Sequence, residues 1–401
     1  MSGMLIVGAG QAGGTAALQL RASGYEGDII LAGSEAHAPY ERPPLSKGYL
    51  SGEMGYDSLL VRPEVTYEQQ RIELLKATTI ASIEPSAGTA LTSNKRQINF
   101  DKLLLATGSR PRRLPITGAD LPGVHYLRTL ADVEQLKGAM ATAKRVCLIG
   151  GGYVGLEFAS VAIKAGLAVT VLESADRLLK RVTTEPMSQY FERLHRSRGV
   201  DVQCNAEIIS IEGTGRAERI ICRHGIIEAD LVLVGIGAIP NTELAESADI
   251  ACSNGILVDE QCKASSPNVY AAGDCTNHLN PLLNRRLRLE SAPNATDQAK
   301  IAAVNMLGEG KSYRSVPWFW SDQFSSKLQA VGFATDGTDS VCRGSEEEHQ
   351  FARFYLHEQR LVAVEAINYP RAFMVGKRLY GTKVDSAKLA DSSVELKSLM
   401  S

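Results

Sequence analysis

The 401-residue chain has an apolar content of 44% and a charged content of 22%, which are typical of a globular protein. Its 43 basic and 45 acidic side chains leave a formal net charge of −2, which gives no reason to expect nucleic-acid or membrane binding. The length favours two or three domains. No apolar run is long enough for a membrane-spanning helix, and a first strand beginning at Met4 leaves no room for a signal peptide, so we expect a cytoplasmic protein.

A strand–turn–helix–strand pattern occurs twice along the chain. The first copy has strands at Leu5–Val7 and Asp28–Leu31 around GAGQAG and a helix over about Ala12–Ser23. The second has strands at Arg145–Ile149 and Ala168–Leu172 around GGGYVG and a helix ending near Ala165. Two such βαβ units predict an α/β protein with parallel sheets covered by helices.

The glycines of both turns follow the spacing of a dinucleotide-binding fingerprint. They are Gly8, Gly10 and Gly13 in the first copy and Gly150, Gly152 and Gly155 in the second. The first glycine of each set permits a tight turn, the second lets a pyrophosphate approach the backbone, and the third lets helix and strand pack closely. We therefore expect two dinucleotide sites.

Apolar strands that break at glycine suggest how the domains are connected. They lie in Lys102–Pro111, Leu231–Asn241 and Asn268–Cys275, and alternating apolar runs after Pro317 indicate antiparallel strands. We predict two Rossmann-like dinucleotide-binding domains, the second inserted in the first, and a C-terminal α+β domain. The predicted boundaries are 1–112 and 240–318, 113–239, and 319–401.

An acidic residue after the second strand of each unit is expected to bind a ribose. In the second unit this residue is Glu173, whose charge favours NAD over NADP, although the nearby Arg177 leaves NADP open. In the first unit the candidates are Ser34 and Glu35, and the sequence does not choose between them.

Two adenine dinucleotides on one chain suggest a permanently held FAD that NADH reduces. Asp274, after the strand YAAG, is either a ligand of the flavin's ribityl or phosphate region or an ordinary turn residue. Lys47, in a proline-stiffened loop, and Glu157, just after the second fingerprint, are candidate active-site charges or an exposed ion pair. Trp318 and Trp320 share a strand face, either beside the flavin or in the core.

The chain resembles the FAD- and NADH-dependent ferredoxin reductases of bacterial oxygenase systems over essentially its whole length. The ordered motifs are GAGQAG, PYERPPLSK, LLLATGSRPR, YLRTLADVE, GGGYVGLE, VGIGAIPN, YAAGDC, RLESAPNATDQAK and PWFWSDQF. The resemblance implies FAD contacts at Ala12, Lys47, Ile80, Arg128, Asp274, Ala292 and Trp320, and NAD contacts at Gly152, Tyr153, Val154, Glu157, Glu173 and Gly237. It also implies that Lys47 and Glu157 orient the flavin and nicotinamide rings. One departure is Ser34, where the family usually has an acid.

The implied activity is hydride transfer from NADH to FAD, followed by single-electron transfer to a [2Fe–2S] ferredoxin that serves a Rieske dioxygenase or cytochrome P450 in aromatic-compound catabolism. The candidate docking residues are Arg285, Arg286, Arg288 and Lys300. None of the seven cysteines lies in HAPYERPPLSKGYL, where related disulfide reductases carry their redox pair, so electrons are expected to leave at the flavin edge. No metal site is expected, and the protein is expected to be a monomer or weak dimer.

Two other functions remain open on the sequence. One is a rubredoxin or monodehydroascorbate reductase, which shares the flavin chemistry and differs in the electron acceptor. The other is an interaction protein of the apoptosis-inducing-factor type, in which NADH changes partner binding. Neither a targeting segment nor a basic DNA-binding surface favours the latter.

Overall fold

The computed structural model describes residues 3–400. The described chain forms two compact units. The first contains the residues up to Pro43, Gly55–Arg110 and Ala238–Ser315, and the second contains Pro44–Met54, Pro111–Gly237 and the residues from Val316 onward. The predicted boundaries of three separate domains stay a prediction.

The strands of the described residues are numbered in chain order. They are β1 Gly3–Val7, β2 Ile29–Ala32, β3 Ile72–Leu75, β4 Ile80–Glu84, β5 Thr89–Thr92, β6 Gln97–Leu105, β7 Ser109–Pro111, β8 Val124–Tyr126, β9 Arg145–Ile149, β10 Ala168–Leu172, β11 Asp201–Gln203, β12 Ile208–Glu212, β13 Arg219–Cys222, β14 Gly225–Glu228, β15 Leu231–Val234, β16 Ala238–Pro240, β17 Ile256–Val258, β18 Val269–Ala271, β19 Thr276–Asn280, β20 Arg285–Leu287, β21 Trp318–Gln323, β22 Ser326–Gly332, β23 Asp339–Ser345, β24 Gln350–His357 and β25 Arg360–Ile367.

The helices are numbered in the same way. They are α1 Gln11–Ala22, α2 Glu64–Gln69, α3 Leu130–Met140, α4 Tyr153–Lys164, α5 Glu185–Ser197, α6 Glu243–Glu246, α7 Ala292–Met306, α8 Pro370–Leu379 and α9 Ser386–Ala390. None of the described helices is both long enough and apolar enough to cross a bilayer.

The first unit is built on a seven-stranded sheet with β1 near its centre. The order is β3-β2-β1-β6-β5-β4, and β18 also pairs with β6. All five residues of β1 are buried, and β1 runs parallel to both β2 and β6. An unbroken apolar run suits a strand covered on both faces. One face packs against α1 and α7 through small residues such as Ala16 and Ala303, and a second apolar cluster covers the other face.

The described part of the second unit contains a parallel sheet, a C-terminal sheet and a small antiparallel sheet of β12, β13 and β14. The parallel sheet has the order β11-β10-β9-β15-β8, and β9 and β10 have the bounds that the sequence predicts. The C-terminal sheet has the order β21-β22-β25-β24-β23 and is antiparallel throughout, which confirms the alternation seen after Pro317. Helix α8 packs on this sheet through Phe373, against Phe354 and Val364 of the same apolar cluster.

A buried carboxyl group links the C-terminal sheet to the loop before α5. Glu365 of β25 is 2% exposed, and its Oε2 accepts hydrogen bonds from Thr183 Oγ1 at 2.7 Å and Tyr355 Oη at 2.5 Å. Burial raises the pKa of Glu365 from 4.5 to about 7, although both hydroxyls favour the charged form. The folded state therefore binds this proton more tightly than the unfolded state.

We predict that Glu365→Gln reduces the dependence of stability on pH. Because the folded pKa is raised, this group's stabilising contribution is complete below pH 4.5 and is lost as pH rises through about 7. The difference between the limits is about 3 kcal/mol, at 1.36 kcal/mol per pKa unit. Thermal unfolding midpoints at acidic and mildly alkaline pH should converge in the variant. The exposed Glu68→Gln is the control, and an equal pH dependence in wild type and Glu365→Gln would contradict the prediction.

Candidate functional site

The first glycine of each fingerprint makes a turn that a side chain would block. Gly8 has φ of +111° and Gly150 has φ of +106°, both in the region that favours glycine. A Cβ on Gly8 would lie 2.1 Å from the carbonyl oxygen of Ala106, and one on Gly150 would lie 2.5 Å from that of Gly235. Each glycine therefore lets the chain pass closely beside the neighbouring strand's end.

The second and third glycines of each fingerprint differ in what surrounds them. A Cβ on Gly13 would lie 1.9 Å from the Gly8 carbonyl oxygen, so the third glycine serves packing within the turn. By contrast, a Cβ on Gly10 would meet nothing within 4 Å, and one on Gly152 only an oxygen at 4.0 Å. The middle glycines thus leave an open space in front of the backbone.

The two fingerprint helices begin without side-chain caps. Gly10 is the N-cap of α1 and Gly152 is the N-cap of α4, and glycine has no side chain to accept from the first-turn N–H groups. Of the other described helices, α3, α7 and α9 have side-chain caps from Thr129, Ser291 and Asp385, whereas α2, α5, α6 and α8 have none, so it is the open space in front of Gly10 and Gly152 that sets the fingerprint helices apart. Uncapped N–H groups facing an open space are suited to a pyrophosphate.

Glu173 lies directly after β10, at the edge of the second unit's fingerprint. Its Oε2 accepts a hydrogen bond from the Gly151 N–H at 2.7 Å, and its Oε1 accepts one from the Ala175 N–H at 2.8 Å. The carboxylate is therefore held next to the glycine turn. This is where the ribose of a nucleotide on the turn would lie.

The first unit has no acid at the corresponding position. Val7 pairs with Ala32 just as Ile149 pairs with Leu172, so Gly33 occupies the place that Glu173 occupies in the second unit. The ribose contact must therefore come from the residues that follow Gly33.

The two candidates in the first unit have different surroundings. Glu35 is bound at one oxygen by Arg42 at 2.8 Å and at the other by the Tyr40 hydroxyl at 2.5 Å. Ser34 is exposed. Each carboxylate oxygen of Glu35 already accepts a hydrogen bond, as each oxygen of Glu173 does, so the geometry does not choose between Ser34 and Glu35.

Asp274 is brought to the first fingerprint by the end of β18. A Cβ on the preceding Gly273 would lie 3.2 Å from the Ala12 methyl group of α1, so the two segments are in close contact. Asp274 Oδ2 accepts a hydrogen bond from Ser109 Oγ at 3.1 Å. The predicted Ala292 is the first residue of α7.

Lys47 and Glu157 form a buried ion pair in the second unit. Lys47 Nζ lies 3.1 Å from Glu157 Oε1 and 3.1 Å from Asp322 Oδ2. Glu157 is 5% exposed, and it also accepts hydrogen bonds of 2.6 Å from Ser46 Oγ at Oε2 and from Ser321 Oγ at Oε1. The alternative of an exposed surface ion pair is wrong, because the carboxylate is enclosed.

Burial raises the pKa of Glu157, and Lys47 and the two serine hydroxyls oppose that rise by favouring the charged form. Removing one partner of a buried ion pair typically costs 3–5 kcal/mol because the other charge is left uncompensated. The cluster therefore fixes an ammonium group and a carboxylate at one place.

The aromatic residues of β21 lie on both sides of this cluster. Trp320 is 5.6 Å from Lys47 Nζ, and Trp318 and Trp320 lie on the same strand face with ring centroids 5.7 Å apart. On the other face, the ring centroids of Phe319 and Tyr153 are 4.9 Å apart. The Tyr153 hydroxyl is buried, and burial raises its pKa. The neighbouring Val154 is exposed at 49%.

The remaining predicted residues are spread over the two units. Ile80 begins β4 of the first unit, and Arg128 precedes α3 of the second. Gly237 has φ of +105°, and only the Arg181 guanidinium lies near its missing Cβ, at 3.6 Å. Their roles toward a cofactor stay predictions.

Several residues of the cluster were missed by the sequence reasoning. These are Ser46, Ser321, Asp322, Gln323 and His195, all of which lie in the network around Glu157. Ser46 precedes Lys47, and the three β21 residues, Ser321, Asp322 and Gln323, lie within the motif PWFWSDQF. Hydroxyls beside a predicted buried carboxylate are the available signal for the serines, whereas nothing in the sequence points to His195.

Comparisons with known proteins agree with this geometry. The model of the pyridine nucleotide-disulphide oxidoreductase family matches residues 3–299, and that of the reductase C-terminal domain matches residues 318–400. The chain belongs to the pyridine nucleotide-disulphide oxidoreductase family. It is 40% identical over 401 residues to the probable ferredoxin reductase CtmF of Castellaniella defragrans, with 99% of this chain and 98% of the relative covered.

A second relative and a solved structure are similar over nearly the same length. The rubredoxin-NAD(+) reductase of Pseudomonas putida is 37% identical over 370 residues, covering 92% of this chain and 96% of the relative. The chain in the crystal structure of the covalent putidaredoxin reductase–putidaredoxin complex is 39% identical, with a TM-score of 0.96, and 100% of this chain and 98% of that chain are covered. The predicted fold class and the resemblance to ferredoxin reductases are confirmed.

This pyridine nucleotide-disulphide oxidoreductase has two places that fit the dinucleotide cofactors of its family, FAD and a pyridine nucleotide. The open faces of Gly10 and Gly152, with uncapped helix starts behind them, suit one pyrophosphate each. The predicted pair of cofactors is confirmed at the level of the family.

We predict that Gly10→Ala lowers FAD retention without lowering the stability of the FAD-free protein, since bound FAD itself stabilises the folded state. Gly10 has φ of −94°, which alanine adopts, and the added methyl group enters only the space proposed for the pyrophosphate. Gly13→Ala instead forces a contact with the Gly8 oxygen and should destabilise the fold, by roughly 1–3 kcal/mol for an overpacked site. FAD content by visible absorbance and thermal unfolding test the two variants.

Gly138→Ala is the matched control, because its Cβ also enters open space but lies within α3. Full FAD occupancy in Gly10→Ala at unchanged affinity would show that the first fingerprint does not hold the cofactor.

Proposed function

We propose that the chain is an FAD-containing, NADH-dependent reductase of a [2Fe–2S] ferredoxin that serves an oxygenase. The supporting observation is the combination of two open glycine turns with the buried Lys47–Glu157 pair. The seven cysteines are all free in the described structure, and none lies near Lys47 in the sequence. A thiol relay therefore has no residues to use, and free thiols suit the reducing cytoplasm as the location.

The overall reaction converts NADH and two oxidised ferredoxins into NAD⁺, two reduced ferredoxins and one proton. Bound FAD would supply the change from a two-electron donor to a one-electron donor, because a flavin accepts a hydride and releases electrons singly. The protein's own residues bind the cofactors and orient them. Lys47 provides a fixed positive charge, since Glu157 and Asp322 hold its ammonium group at 3.1 Å each. Glu157 accepts hydrogen bonds from all its partners, so it acts as an anchor for Lys47 rather than as a proton donor.

The nucleotide preference follows from Glu173. Its carboxylate lies beside the second glycine turn, where it can accept from the ribose hydroxyls of NADH. The 2′-phosphate of NADPH would face the same negative charge. Arg177 keeps NADPH as the alternative nucleotide, because its Nη2 donates only to the neutral carbonyl oxygens of Lys180 and Thr183 and its buried Nη1 has no hydrogen-bond partner in the described structure.

We predict that Glu173→Gln lowers the ratio of kcat/KM for NADH to that for NADPH by about tenfold, which corresponds to 1.4 kcal/mol and to the loss of one charge-assisted hydrogen bond. Steady-state rates with both nucleotides give the ratio. Asp176→Asn is the control, since it removes an exposed charge that pairs with Lys180 on the same loop. A ratio that is unchanged in Glu173→Gln would remove the basis for the NADH assignment.

The ferredoxin-docking surface is proposed around the β19–β20 hairpin and α7 of the first unit. Arg286 donates to the carbonyl oxygens of Val258 and Asn277, and Arg288 is paired with Glu290. Arg285, Arg286 and Lys300 are exposed and Arg288 is partly exposed, and we propose that these four side chains dock an acidic partner. Attraction between such partners raises the association rate and weakens with salt.

We predict that NADH-driven ferredoxin reduction slows as ionic strength rises, and that Arg285→Glu or Lys300→Glu slows it by about tenfold at low salt, as expected for a charge on a docking surface. Lys144→Glu is the control, with the same change of net charge on the second unit. Stopped-flow rates with a [2Fe–2S] ferredoxin and with a rubredoxin provide the measurement. The similarity to a rubredoxin reductase makes rubredoxin the second candidate acceptor. Faster reduction of rubredoxin than of any ferredoxin would replace the ferredoxin assignment.

A further inference from the structure

The hydrogen bonds around Glu157 continue deeper into the second unit. Ser321 Oγ, which donates to Glu157, accepts from Gln323 Nε2 at 3.1 Å, and Gln323 Oε1 lies 2.9 Å from His195 Nε2. These side chains are buried, with 1% of Ser321 and none of Gln323 or His195 exposed. A continuous chain of three hydrogen bonds thus runs from α5 through β21 to the carboxylate on α4.

The alternation of side chains along β21 explains how one strand contacts both Glu157 and Lys47. Side chains of successive strand residues point to opposite faces. Ser321 and Gln323 therefore share the face toward α4 and α5, whereas Trp320 and Asp322 lie on the opposite face, where both reach Lys47. The strand thus holds Glu157 from one face and its ammonium partner from the other.

The charge on Glu157 fixes the direction of every hydrogen bond in the chain. An ionised carboxylate only accepts, so the Ser321 hydroxyl must donate to it. The lone pair left on Ser321 Oγ then accepts from the Gln323 amide N–H, which leaves Gln323 Oε1 to accept from the His195 ring. His195 is therefore the tautomer that carries its proton on Nε2.

The histidine at the far end is suited to this single arrangement. Burial lowers the pKa of His195 to about 4, so the ring is neutral at physiological pH. Its buried Nδ1 has no hydrogen-bond partner in the described structure, so a second proton there would lack an acceptor. The Phe324 ring, 5.0 Å away, covers the imidazole.

This chain of hydrogen bonds fixes the orientation of its side chains and does not conduct protons. A proton relay requires each link to accept a proton on one side and release one on the other, and the Gln323 amide does not do so at accessible cost. Fixing a hydroxyl is different, because the Ser321 O–H rotates to suit its partners, and the bond that its oxygen accepts from Gln323 restricts the direction in which it donates to Glu157.

We propose that Ser321, Gln323 and His195 are positioning residues that hold the Glu157 carboxylate, and through it the Lys47 ammonium, in the arrangement that the reaction uses. This rests on the function proposed above for Lys47 and Glu157. The role differs from core packing because it predicts a change in the proton affinity of a carboxylate that neither Gln323 nor His195 touches.

The experiment follows the Glu157 carboxyl group by ¹³C NMR in FAD-loaded protein labelled at the glutamate side-chain carboxyl carbon. Glu157→Gln assigns the signal by removing it. The charged groups that face Glu157 within the unit are Lys47 and Asp322, with the Tyr153 hydroxyl nearby, and they are unchanged in every test variant.

Ser321→Ala is expected to raise the proton affinity of Glu157 by about tenfold, because it removes one hydrogen bond to the charged form. Gln323→Met removes the hydrogen bonds of Gln323 to Ser321 and His195 without touching Glu157. It is expected to raise the proton affinity of Glu157 by about threefold, since the Ser321 hydroxyl then loses the bond that restricts its direction. Ser321→Thr restores the hydroxyl and should restore the titration. Gln189→Met on α5 is the matched control, because Gln189 is exposed and bonds only within its helix.

If Glu157 titrates in Gln323→Met as it does in the wild-type protein, the proposal is overturned. If that variant does not fold, Ser321→Ala decides, and an unchanged proton affinity there overturns it equally. Ferredoxin reduction is measured in parallel on the same samples. Absent turnover in wild type removes the proposed function and leaves the NMR result to judge the positioning chain, whereas normal turnover with an unshifted Gln323→Met titration removes the positioning chain alone.

Discussion

An ionised carboxylate buried at Glu157 is the constraint around which the second unit is arranged. Transferring such a charge out of water costs several kcal/mol, and the cost is offset only when a counter-charge and further hydrogen-bond donors are in place. The donors come from two segments that are far from α4 in the sequence: the loop after the prolines, with Ser46 and Lys47, and β21, with Ser321. These segments must therefore fold together. This explains why Pro44–Met54 belongs to the second unit although the residues on both sides of it belong to the first.

The duplicated fingerprint shows how one backbone solution serves two different ligands. In both copies a left-handed glycine makes the turn, a glycine with no neighbour leaves room for a pyrophosphate, and a third glycine packs within the turn. The copies differ in the residue after the second strand. Glu173 follows the strand directly in one, whereas Gly33 follows it in the other, with Glu35 engaged by Arg42 and Tyr40. We propose that the shared backbone holds a pyrophosphate in each copy and that the differing side chains select the nucleotide.

Many of the residues proposed to contact the cofactors could be predicted, because their positions depend on local sequence rules. The fingerprint glycines, the strands β9 and β10, and the candidates Lys47, Glu157 and Glu173 follow from spacing and strand–helix alternation. The tryptophans were correctly placed on one strand face by the two-residue period alone. The side chains that hold Glu157 in place, such as Ser321, Gln323 and His195, were not predicted. Nothing local to His195 distinguishes a histidine that ends a buried hydrogen-bond chain from one on a helix surface.

The sequence by itself determined the two glycine turns, the parallel and antiparallel strands and the identity of the charged pair, because these depend on backbone conformation and on side-chain periods of two and about four residues. Only the tertiary structure decided that Glu157 is buried, that both faces of β21 serve one ion pair, and that Glu35 is already bonded. Glu157 takes its partners from segments more than a hundred residues away, and for Glu35 the sequence does not show that Arg42 and Tyr40 turn toward it. The energy of a charge is set by all the groups around it at once.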